Sequence, residues 1–399
     1  MVVGSGPAGL ETARTYRTAG GRGAVTLVTA DPHLPYQRPP LTKDYLRTGS
    51  GRDDLFLEPA AWFSEHAVEV RHARAVALDP DAGRLELMGG DTLGFDACVL
   101  ATGSEPLRPP VPGAELDGVL VLRSLDDADA LRGRVLAGAR RAVVVGSGFI
   151  GCEAAASLRP LGCDVTLVSG EPAPQAARLG EAAGRHIAGW LEGAGVELHL
   201  GTQVTELRRP PSADEAPRGG AGSALEVLCD DGTPAIGCDV VVLGAGVAPR
   251  LELARSAGLA IDEDAPGVRC DAGLRTSHPR IWAAGDIAVA DHPLAGRPLR
   301  VEHWGDALAH GKTIGTTLAG GAARWETVPG FWSTIGDRTL KLAAWGDGWE
   351  RDHLVAHPGG GFTVWHERDG ACVGVLTHGA DADYDRGKEL VAQGAPVLR

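Results

Sequence analysis

Short aliphatic runs alternate with longer segments of helical character along most of the chain. The first unit reads as a strand at Val2–Val3, a helix from about Pro7 to Thr18, and a second strand over residues 25–28. Continuous apolar runs separated by helices are typical of parallel strands that are buried on both faces. The opening of the chain therefore predicts a strand–helix–strand unit of an α/β fold.

A second unit repeats this pattern, with strands predicted at residues 143–145 and 164–168. Other apolar runs end in small residues, at 99–103, 240–246 and 281–286. Such runs are typical of buried strands whose ends approach a ligand closely. From about residue 327 the pattern becomes one of alternating segments, which predicts antiparallel strands.

These elements predict two Rossmann-like, three-layer dinucleotide-binding domains and a smaller α+β C-terminal domain. Pro-dense residues 106–112 indicate a crossover between the first two. We expect one discontinuous domain at 1–108 and 248–322, a second at 109–247, and a third at 323–399. Residues 209–223, rich in Pro, Gly and Ala, are predicted to form a mobile hairpin loop.

Composition and charge exclude several classes of function. The formal net charge of −14 argues against non-specific binding to nucleic acid, which needs a basic surface. We expect neither a membrane span nor a signal peptide, because an apolar run of ~18 residues is absent and the first residues already form a strand. Seven scattered cysteines, without a C-x-x-C motif, predict reduced thiols of a cytoplasmic protein and no metal site.

A glycine-rich fingerprint stands at the first strand–helix corner of each unit. Its first glycine permits the tight turn, its second lets the backbone approach a pyrophosphate, and its third lets helix and strand pack closely. Two copies predict two dinucleotides held by one protein. The copies are Gly4-Ser5-Gly6-Pro7-Ala8-Gly9 and Gly146-Ser147-Gly148-Phe149-Ile150-Gly151.

An acidic residue follows the second strand of the first unit. Asp31 stands where a carboxylate accepts a hydrogen bond from the ribose of a bound dinucleotide. In the second unit Ser169 occupies the position where an acidic residue would select NADH. Without a carboxylate there, and without an arginine directly after it, the choice between NADH and NADPH stays open, and we favour NADH.

Taken together, these motifs resemble the two-dinucleotide flavoprotein reductases of the ferredoxin, rubredoxin and putidaredoxin reductase type. Further motifs that carry the resemblance are the R-P-P-L-T-K loop ending at Lys43, the A-T-G strand end, the A-x-G-D motif ending at Asp286, and F-W-S in the tail. The resemblance implies FAD and NAD(P)H as cofactors. It assigns to FAD the residues Gly4, Gly6, Pro7, Ala8, Gly9, Asp31, Arg38, Lys43, Val76, Ala101, Thr102, Gly103, Arg108, Gly285, Asp286, Glu302, His303, Trp304 and Trp332.

The same resemblance assigns the second fingerprint to the nicotinamide dinucleotide. The residues concerned are Gly146, Gly148, Phe149, Ile150, Gly151, Glu153, Ser169, Gly244, Ala245 and Gly246. Lys43 and Glu153 are the implied catalytic residues, because the family pairs them beside the flavin. Such a pair would orient Lys43 toward the flavin N5 region, where a fixed cation stabilises the anionic reduced flavin.

The function implied is transfer of a hydride from NAD(P)H to FAD, followed by transfer of electrons to a small acidic ferredoxin-type iron–sulfur protein that serves an oxygenase or a P450. Residues 39–44 contain no cysteine, which excludes a disulfide relay in that loop. Basic residues that could dock an acidic partner are Arg297, Arg300, Lys312, Arg338 and Lys341.

Two alternatives stay open: a flavin reductase of a small molecule such as a quinone, and an NADH-responsive redox-sensing protein. Either a monomer or a homodimer is compatible with the sequence. His303 and His310 are predicted to be packed or hydrogen-bonded histidines rather than a metal pair.

Overall fold

A computed structural model describes residues 1–49, 51–210, 224–346 and 348–397 of the chain. Most of the hairpin loop predicted at 209–223 lies outside these described residues. The α/β fold class is confirmed, since parallel sheets with flanking helices make up the first part of the molecule. None of the helices in the described ranges is long and apolar enough to cross a membrane.

The first parallel sheet surrounds the opening strand of the chain. Val2 pairs in parallel with Leu27 on one side and with Val99 on the other, which places the N-terminus in the centre of a buried sheet. Aliphatic side chains on both faces are removed from water, and this burial is the main stabilising contribution to such a sheet. Its strands, in spatial order, are Ile281–Ala283, Cys98–Leu100, Val2–Val3, Val25–Thr29 and Val68–His72.

Two long helices pack closely against each other beside this sheet, and glycine makes their approach possible. The helix Trp304–Leu318 contacts the first fingerprint helix, Pro7–Thr18. A Cβ added at Gly311 would lie 2.5 Å from the Ala8 carbonyl oxygen, and one at Gly315 would lie 2.7 Å from that of Thr12. The helix Trp304–Leu318, which follows Asp286 in the chain, is therefore held against the first fingerprint helix.

The second parallel sheet repeats the architecture of the first. Val143 pairs with Thr166 on one side and Val241 on the other, so the predicted strand is again central. Its strands in spatial order are Val196–Leu200, Asp164–Ser169, Arg141–Val145, Val240–Leu243 and Val119–Val121. The helices of this unit are Leu125–Leu136, Phe149–Leu158, Ala176–Leu179 and Glu181–Gly193.

A short antiparallel pair joins the two parallel sheets. Strand Ser104–Pro106 leaves the first sheet and pairs with Val247–Pro249, which returns from the second. The predicted domain boundaries at 108/109 and 247/248 lie beside this pair. The two connections between the parallel sheets therefore run side by side and are hydrogen-bonded to each other.

The C-terminal part is an antiparallel sheet covered by one helix, Asp381–Gln393. The alternating segments around residues 362–365 and 372–376 are confirmed as neighbouring antiparallel strands, with Val364 opposite Leu376. The strands in spatial order are Gly330–Ile335, Arg338–Ala344, Ala371–His378, Phe362–Arg368 and Arg351–Ala356.

Smaller elements complete the described structure. The R-P-P-L-T-K loop contains a 3-10 helix at Pro39–Thr42, because proline fits the first turn of a helix without losing a hydrogen bond. The remaining helices are Asp44–Thr48, Ala60–Glu65 and Glu252–Ser256, with 3-10 turns at Arg52–Leu55, Arg159–Leu161, Gly285–Ile287 and Pro358–Gly360. The remaining strands are Ala75–Asp79, Arg84–Leu87, Thr92–Gly94, Val204–Arg208, Leu225–Cys229, Ile236–Cys238, Ile261–Asp262, Gly267–Cys270, Ala288–His292 and Arg297–Arg300.

Candidate functional site

A cleft of about 980 Å³ runs along the carboxyl ends of the first parallel sheet and reaches the second fingerprint helix and the C-terminal sheet. Ligands of open α/β sheets bind at this edge. Most residues assigned to FAD from the sequence line the cleft: Gly4, Gly6, Pro7, Ala8, Asp31, Arg38, Lys43, Val76, Ala101, Thr102, Gly103, Gly285, Asp286, Glu302, His303, Trp304 and Trp332. Phe149, Ile150 and Glu153 enter it from the second unit.

The first fingerprint forms a turn that only glycine fits. Gly4 has a φ of +112°, and a Cβ there would lie 2.0 Å from the Ala101 carbonyl oxygen. A Cβ on Gly9 would lie 2.0 Å from the Gly4 oxygen, whereas one on Gly6 would meet nothing within 4 Å. No side chain caps the helix that follows, so its first amides are available to a ligand at the open Gly6 position. The turn fits the pyrophosphate of a dinucleotide.

Three arginines gather beside this turn. Arg123 donates to Asp286 at 3.0 Å, and Arg38 donates to the Arg123 carbonyl oxygen at 2.8 Å. Arg250 is held to Gly103 by its backbone amide, at 2.9 Å. Burial lowers the pKa of Arg38, and the neighbouring Arg123 and Arg250 charges lower it further. A cluster of like charges next to open helix amides fits an anionic ligand, which would relieve the repulsion.

Arg123 and Arg250 were not predicted from the sequence to belong to the site. Each follows a short apolar strand, Val119–Val121 and Val247–Pro249 respectively. Their position just beyond the end of a strand was the only feature of the sequence that could have indicated a role in ligand binding. Arg108, by contrast, was predicted to bind FAD and lies outside the cleft. Its guanidinium donates to the Ala114 carbonyl oxygen at 2.6 Å, because the loop after residue 106 turns toward the second sheet.

Asp31 lines the cleft at the end of the first unit's second strand. One carboxylate oxygen accepts a hydrogen bond from the Tyr36 hydroxyl at 2.8 Å, and the other accepts from the His33 amide at 3.1 Å. The hydroxyls of Ser5 and Thr29 lie 2.8 Å apart, and the Asp31 amide donates to Thr29. The carboxylate is thus held in one orientation beside the fingerprint.

The second unit repeats this hydrogen-bond arrangement. The hydroxyls of Ser147 and Ser169 lie 2.8 Å apart, and the Glu171 amide donates to Ser169 at 3.3 Å. Ser169 therefore corresponds to Thr29, and Glu171 corresponds to Asp31. This corrects the assignment of the ribose position to Ser169, whose side chain is buried against Ser147. The predicted strand ended one residue too early, since Ser169 still pairs with Leu200 in the sheet.

The second fingerprint forms the same tight turn outside the residues that line the cleft. Gly146 has a φ of +99°, and a Cβ there would lie 2.4 Å from the Gly244 carbonyl oxygen. A Cβ on Gly151 would lie 2.0 Å from the Gly146 oxygen, and one on Gly148 would lie 3.7 Å from the Gly244 oxygen. Ala245 and Gly246 follow directly, between Gly244 and the crossover strand.

The two units meet at a buried ion pair. Lys43 Nζ donates to Glu153 Oε2 at 2.6 Å, and the side chains are 14% and 5% exposed. Thr42 donates to the same oxygen at 2.5 Å, and Ser333 of the C-terminal sheet donates to Oε1 at 2.6 Å. Lys43 also donates to the Pro39 carbonyl oxygen at 3.0 Å. All three parts of the molecule therefore hold one carboxylate at the edge of the cleft.

The two histidines near this edge are hydrogen-bonded, as predicted. His303 Nδ1 lies 3.2 Å from Asp306 Oδ2. His310 is fully buried, and its Nδ1 accepts a hydrogen bond from the Gly285 amide at 3.1 Å. Burial lowers the pKa of His310 to about 4, so the ring is neutral at pH 7. Among the described residues, no group of three or more His, Cys, Asp or Glu side chains is arranged to hold a metal ion.

The cysteines take no part in the cleft. All seven are free thiols; six are buried and Cys229 is half-buried. Cys152 lies next to Glu153 on the fingerprint helix, but burial strongly raises its pKa and its thiol donates to the Ser147 carbonyl oxygen. The chemistry of the cleft must therefore proceed without a redox disulfide.

Comparison with known proteins places the chain in a family. Residues 1–311 match the family described as pyridine nucleotide-disulphide oxidoreductase. The chain is 36% identical to rhodocoxin reductase of Rhodococcus erythropolis over 346 residues, covering 86% of this chain and 77% of the relative. It is 34% identical to the anthranilate 1,2-dioxygenase system ferredoxin–NAD(+) reductase component of Burkholderia cepacia, covering 99% and 94%.

Solved structures give the same result. The ferredoxin reductase for the CYP199A2 system from Rhodopseudomonas palustris superposes with a TM-score of 0.91 at 31% identity, covering 100% of this chain and 95% of that one. The reductase of a covalent putidaredoxin reductase–putidaredoxin complex superposes with a TM-score of 0.90 at 29% identity, covering 99% and 93%. The chain therefore belongs to the pyridine nucleotide-disulphide oxidoreductase family, and it is a flavoprotein oxidoreductase that uses FAD and NAD(H).

Proposed function

We propose that this protein is a cytoplasmic reductase that passes electrons from NADH through FAD to a ferredoxin-type iron–sulfur protein. The observation that carries the proposal is the Lys43–Glu153 pair, which joins the two dinucleotide-binding units at one cleft without a redox disulfide. The names of the relatives support the acceptor, because they include a ferredoxin–NAD(+) reductase component and a putidaredoxin complex.

The residues at the first fingerprint would hold FAD in this proposal. Gly4 and Gly6 would open the turn to the pyrophosphate, Arg38 and Arg123 would offset its negative charge, and Asp31 would accept a hydrogen bond from the ribose. The FAD-binding domain would comprise residues 1–108 and 248–322, with the NAD(P)-binding domain at 109–247 and the C-terminal α+β domain at 323–399. Bound FAD would supply the acceptance of a hydride from NADH and the release of the two electrons one at a time.

Glu171 supports NADH as the electron donor. It stands in the second unit where Asp31 stands in the first, with the same serine or threonine hydroxyl beneath its amide. A carboxylate at this position accepts from both ribose hydroxyls and repels a 2′-phosphate. Arg178 lines the cleft from this unit, whereas Glu171 does not; Arg178 is exposed at the surface and lies beyond Glu171 in the chain.

Lys43 is the cation that lines the cleft at the point where the two dinucleotide-binding units meet. Glu153 and the Pro39 carbonyl oxygen hold its ammonium group in place, so that it needs little reorganisation when negative charge develops nearby. Burial of the pair strengthens this electrostatic effect, since screening by water is reduced. The role that we propose for Lys43 is stabilisation of charge rather than proton transfer.

The acceptor is proposed to approach the exposed edge of the cleft. Trp332 lines the cleft and is 52% exposed, and Val76 and Ile150 are exposed beside the same space. A large aromatic side chain exposed at a cleft mouth is typical of a docking surface. Of the basic residues considered for docking, Arg338 and Lys341 have acidic partners on the C-terminal domain, so their net attraction for an acidic protein is small.

Reduction of cytochrome c by NADH, with and without a [2Fe–2S] ferredoxin, tests the proposal. We expect little reduction by the enzyme alone and a rate that rises with ferredoxin concentration to saturation. Turnover of a quinone at a high rate, with no stimulation by any ferredoxin, would instead support a small-molecule reductase. Very slow oxidation of the NADH-reduced enzyme by every acceptor would support the redox-sensing alternative.

A further inference from the structure

The C-terminal sheet touches the second fingerprint helix at two matched points. Phe149 and Glu153 are one turn apart on that helix, and therefore face the same way. Phe331 and Ser333 are two residues apart on the strand Gly330–Ile335, and therefore share a face of the sheet. The Phe149 and Phe331 rings meet edge to face with centroids 4.6 Å apart, and Ser333 donates to Glu153 at 2.6 Å.

The residue between these two contacts points the other way. Trp332 is 52% exposed, whereas Ser333 is 1% exposed. The Ser333 hydroxyl is thus a buried donor whose acceptor belongs to another part of the molecule. A buried hydroxyl without an acceptor is costly, so the hydrogen bond to Glu153 fixes this strand on the helix.

The two oxygens of Glu153 have separate partners. Oε2 accepts from Thr42 and from Lys43, and Oε1 accepts from Ser333. The terminal torsion of a glutamate is broad, so a carboxylate held at one oxygen can still rotate. With Ser333 bound to the second oxygen, that rotation is blocked. Lys43 then has one fixed partner position.

We infer that Ser333 is a positioning residue: it fixes the orientation of the Glu153 carboxylate and thereby holds the Lys43 ammonium group at the cleft. The position of the C-terminal sheet then determines the orientation of Lys43 through the Ser333 hydroxyl and Glu153. This inference rests on the proposed function, because Lys43 is the cation proposed to act there. It concerns Ser333 itself, which lines the cleft beside Trp332 and acts in this role through Glu153.

Chemical labelling of lysine measures this directly. The chain contains only four lysines, Lys43, Lys312, Lys341 and Lys388, so the others serve as internal references. The FAD-loaded enzyme is treated briefly with acetic anhydride, and each lysine is quantified by peptide mass spectrometry. Because a hydrogen bond to a charged group is lost in Ser333→Ala, we expect Lys43 to be acetylated about tenfold faster in that variant. Acetylation of Lys312 and Lys388, both exposed, should not change.

Two further variants separate positioning from general loosening of the strand. Thr334→Ala removes the neighbouring hydroxyl, which bonds Thr339 and not Glu153, and should leave Lys43 at the wild-type rate. Ser333→Thr keeps a hydroxyl and should restore slow labelling. Should Ser333→Ala not fold, Ser333→Cys keeps a weak donor of similar shape and should give an intermediate rate.

Two outcomes overturn the inference. One is an unchanged Lys43 rate in a folded Ser333→Ala protein, and the other is an equal increase in Thr334→Ala. Steady-state kinetics with NADH and ferricyanide add a second readout, in which kcat should fall about tenfold with KM for NADH unchanged. Labelling does not depend on the electron acceptor, so a wrong acceptor and a wrong role for Ser333 give different results.

Discussion

The buried Lys43–Glu153 pair makes a quantitative prediction about stability. Glu153→Gln keeps the size of the side chain but removes the negative charge, and leaves the ammonium group of Lys43, 14% exposed, without its ionic partner. Removal of one member of a buried pair costs about 3–5 kcal/mol. We expect the lower end, about 3 kcal/mol, because Lys43 still donates to the Pro39 carbonyl oxygen.

A double-mutant cycle isolates the pair from everything else that each residue touches. Lys43→Met removes the cation and keeps much of its apolar stem, and Glu153 retains its hydrogen bonds from Thr42 and Ser333. When both charges are gone no uncompensated charge is buried, so the double variant should be less destabilised than the sum of the single variants. We expect a coupling free energy of about 2–3 kcal/mol.

Urea unfolding of the FAD-loaded proteins, followed by far-UV circular dichroism, provides the measurement. The FAD concentration must be the same throughout, because a ligand that binds only the folded state adds to its stability. Thr334→Ala serves as a control away from the pair. A coupling below about 0.5 kcal/mol, the level found for exposed ion pairs, would show that Lys43 and Glu153 do not depend on each other as a buried pair does.

Further predictions concern the nucleotide turn, the choice of nucleotide and the dependence on pH. Gly146→Ala should abolish NADH binding in fluorescence titrations while FAD stays bound, because its Cβ would lie 2.4 Å from the Gly244 oxygen at a φ of +99°; unchanged NADH affinity would contradict the assignment of this turn. Glu171→Ala should lower the ratio of kcat/KM for NADH to that for NADPH by about tenfold or more, since a hydrogen bond to a charged group is lost; a constant ratio would return the choice to another residue. His310, whose pKa burial lowers to about 4, binds its proton more readily in the unfolded chain. Stability should therefore fall by about 2 kcal/mol between pH 7 and pH 5 on its account, and His310→Gln should show a shallower loss in urea unfolding at the two pH values.

The sequence alone predicted the fold class and the position of both fingerprints, because these depend on local rules. Gly4 and Gly146 lie at turns where a side chain would collide with a backbone carbonyl oxygen at the end of a neighbouring strand. The motif requires glycine at these positions, so the sequence alone identifies the turns. The Lys43–Glu153 contact came from the resemblance to a family rather than from any local pattern. The structure brings the two side chains together across the interface of the two units.

What the sequence did not predict depends on register and on long-range packing. The acidic position of the second unit was assigned to Ser169 and not to Glu171, because the sequence does not show that Ser169 still lies in the strand and turns inward. Arg123 and Arg250 follow short strands without a motif, and only the fold brings them to one turn. Ser333 belongs to the F-W-S motif, but the motif did not indicate its role, which depends on how its strand packs on the fingerprint helix.

The proposed function requires that the reduced enzyme deliver its electrons to an iron–sulfur protein. This transfer can be followed by anaerobic stopped-flow spectroscopy, in which the FAD-loaded enzyme is reduced with one equivalent of NADH and then mixed with a [2Fe–2S] ferredoxin or with a quinone. We expect rapid loss of ferredoxin absorbance in step with flavin reoxidation, at a rate that saturates with ferredoxin. Reoxidation by quinone alone, with ferredoxin left oxidised, would contradict it.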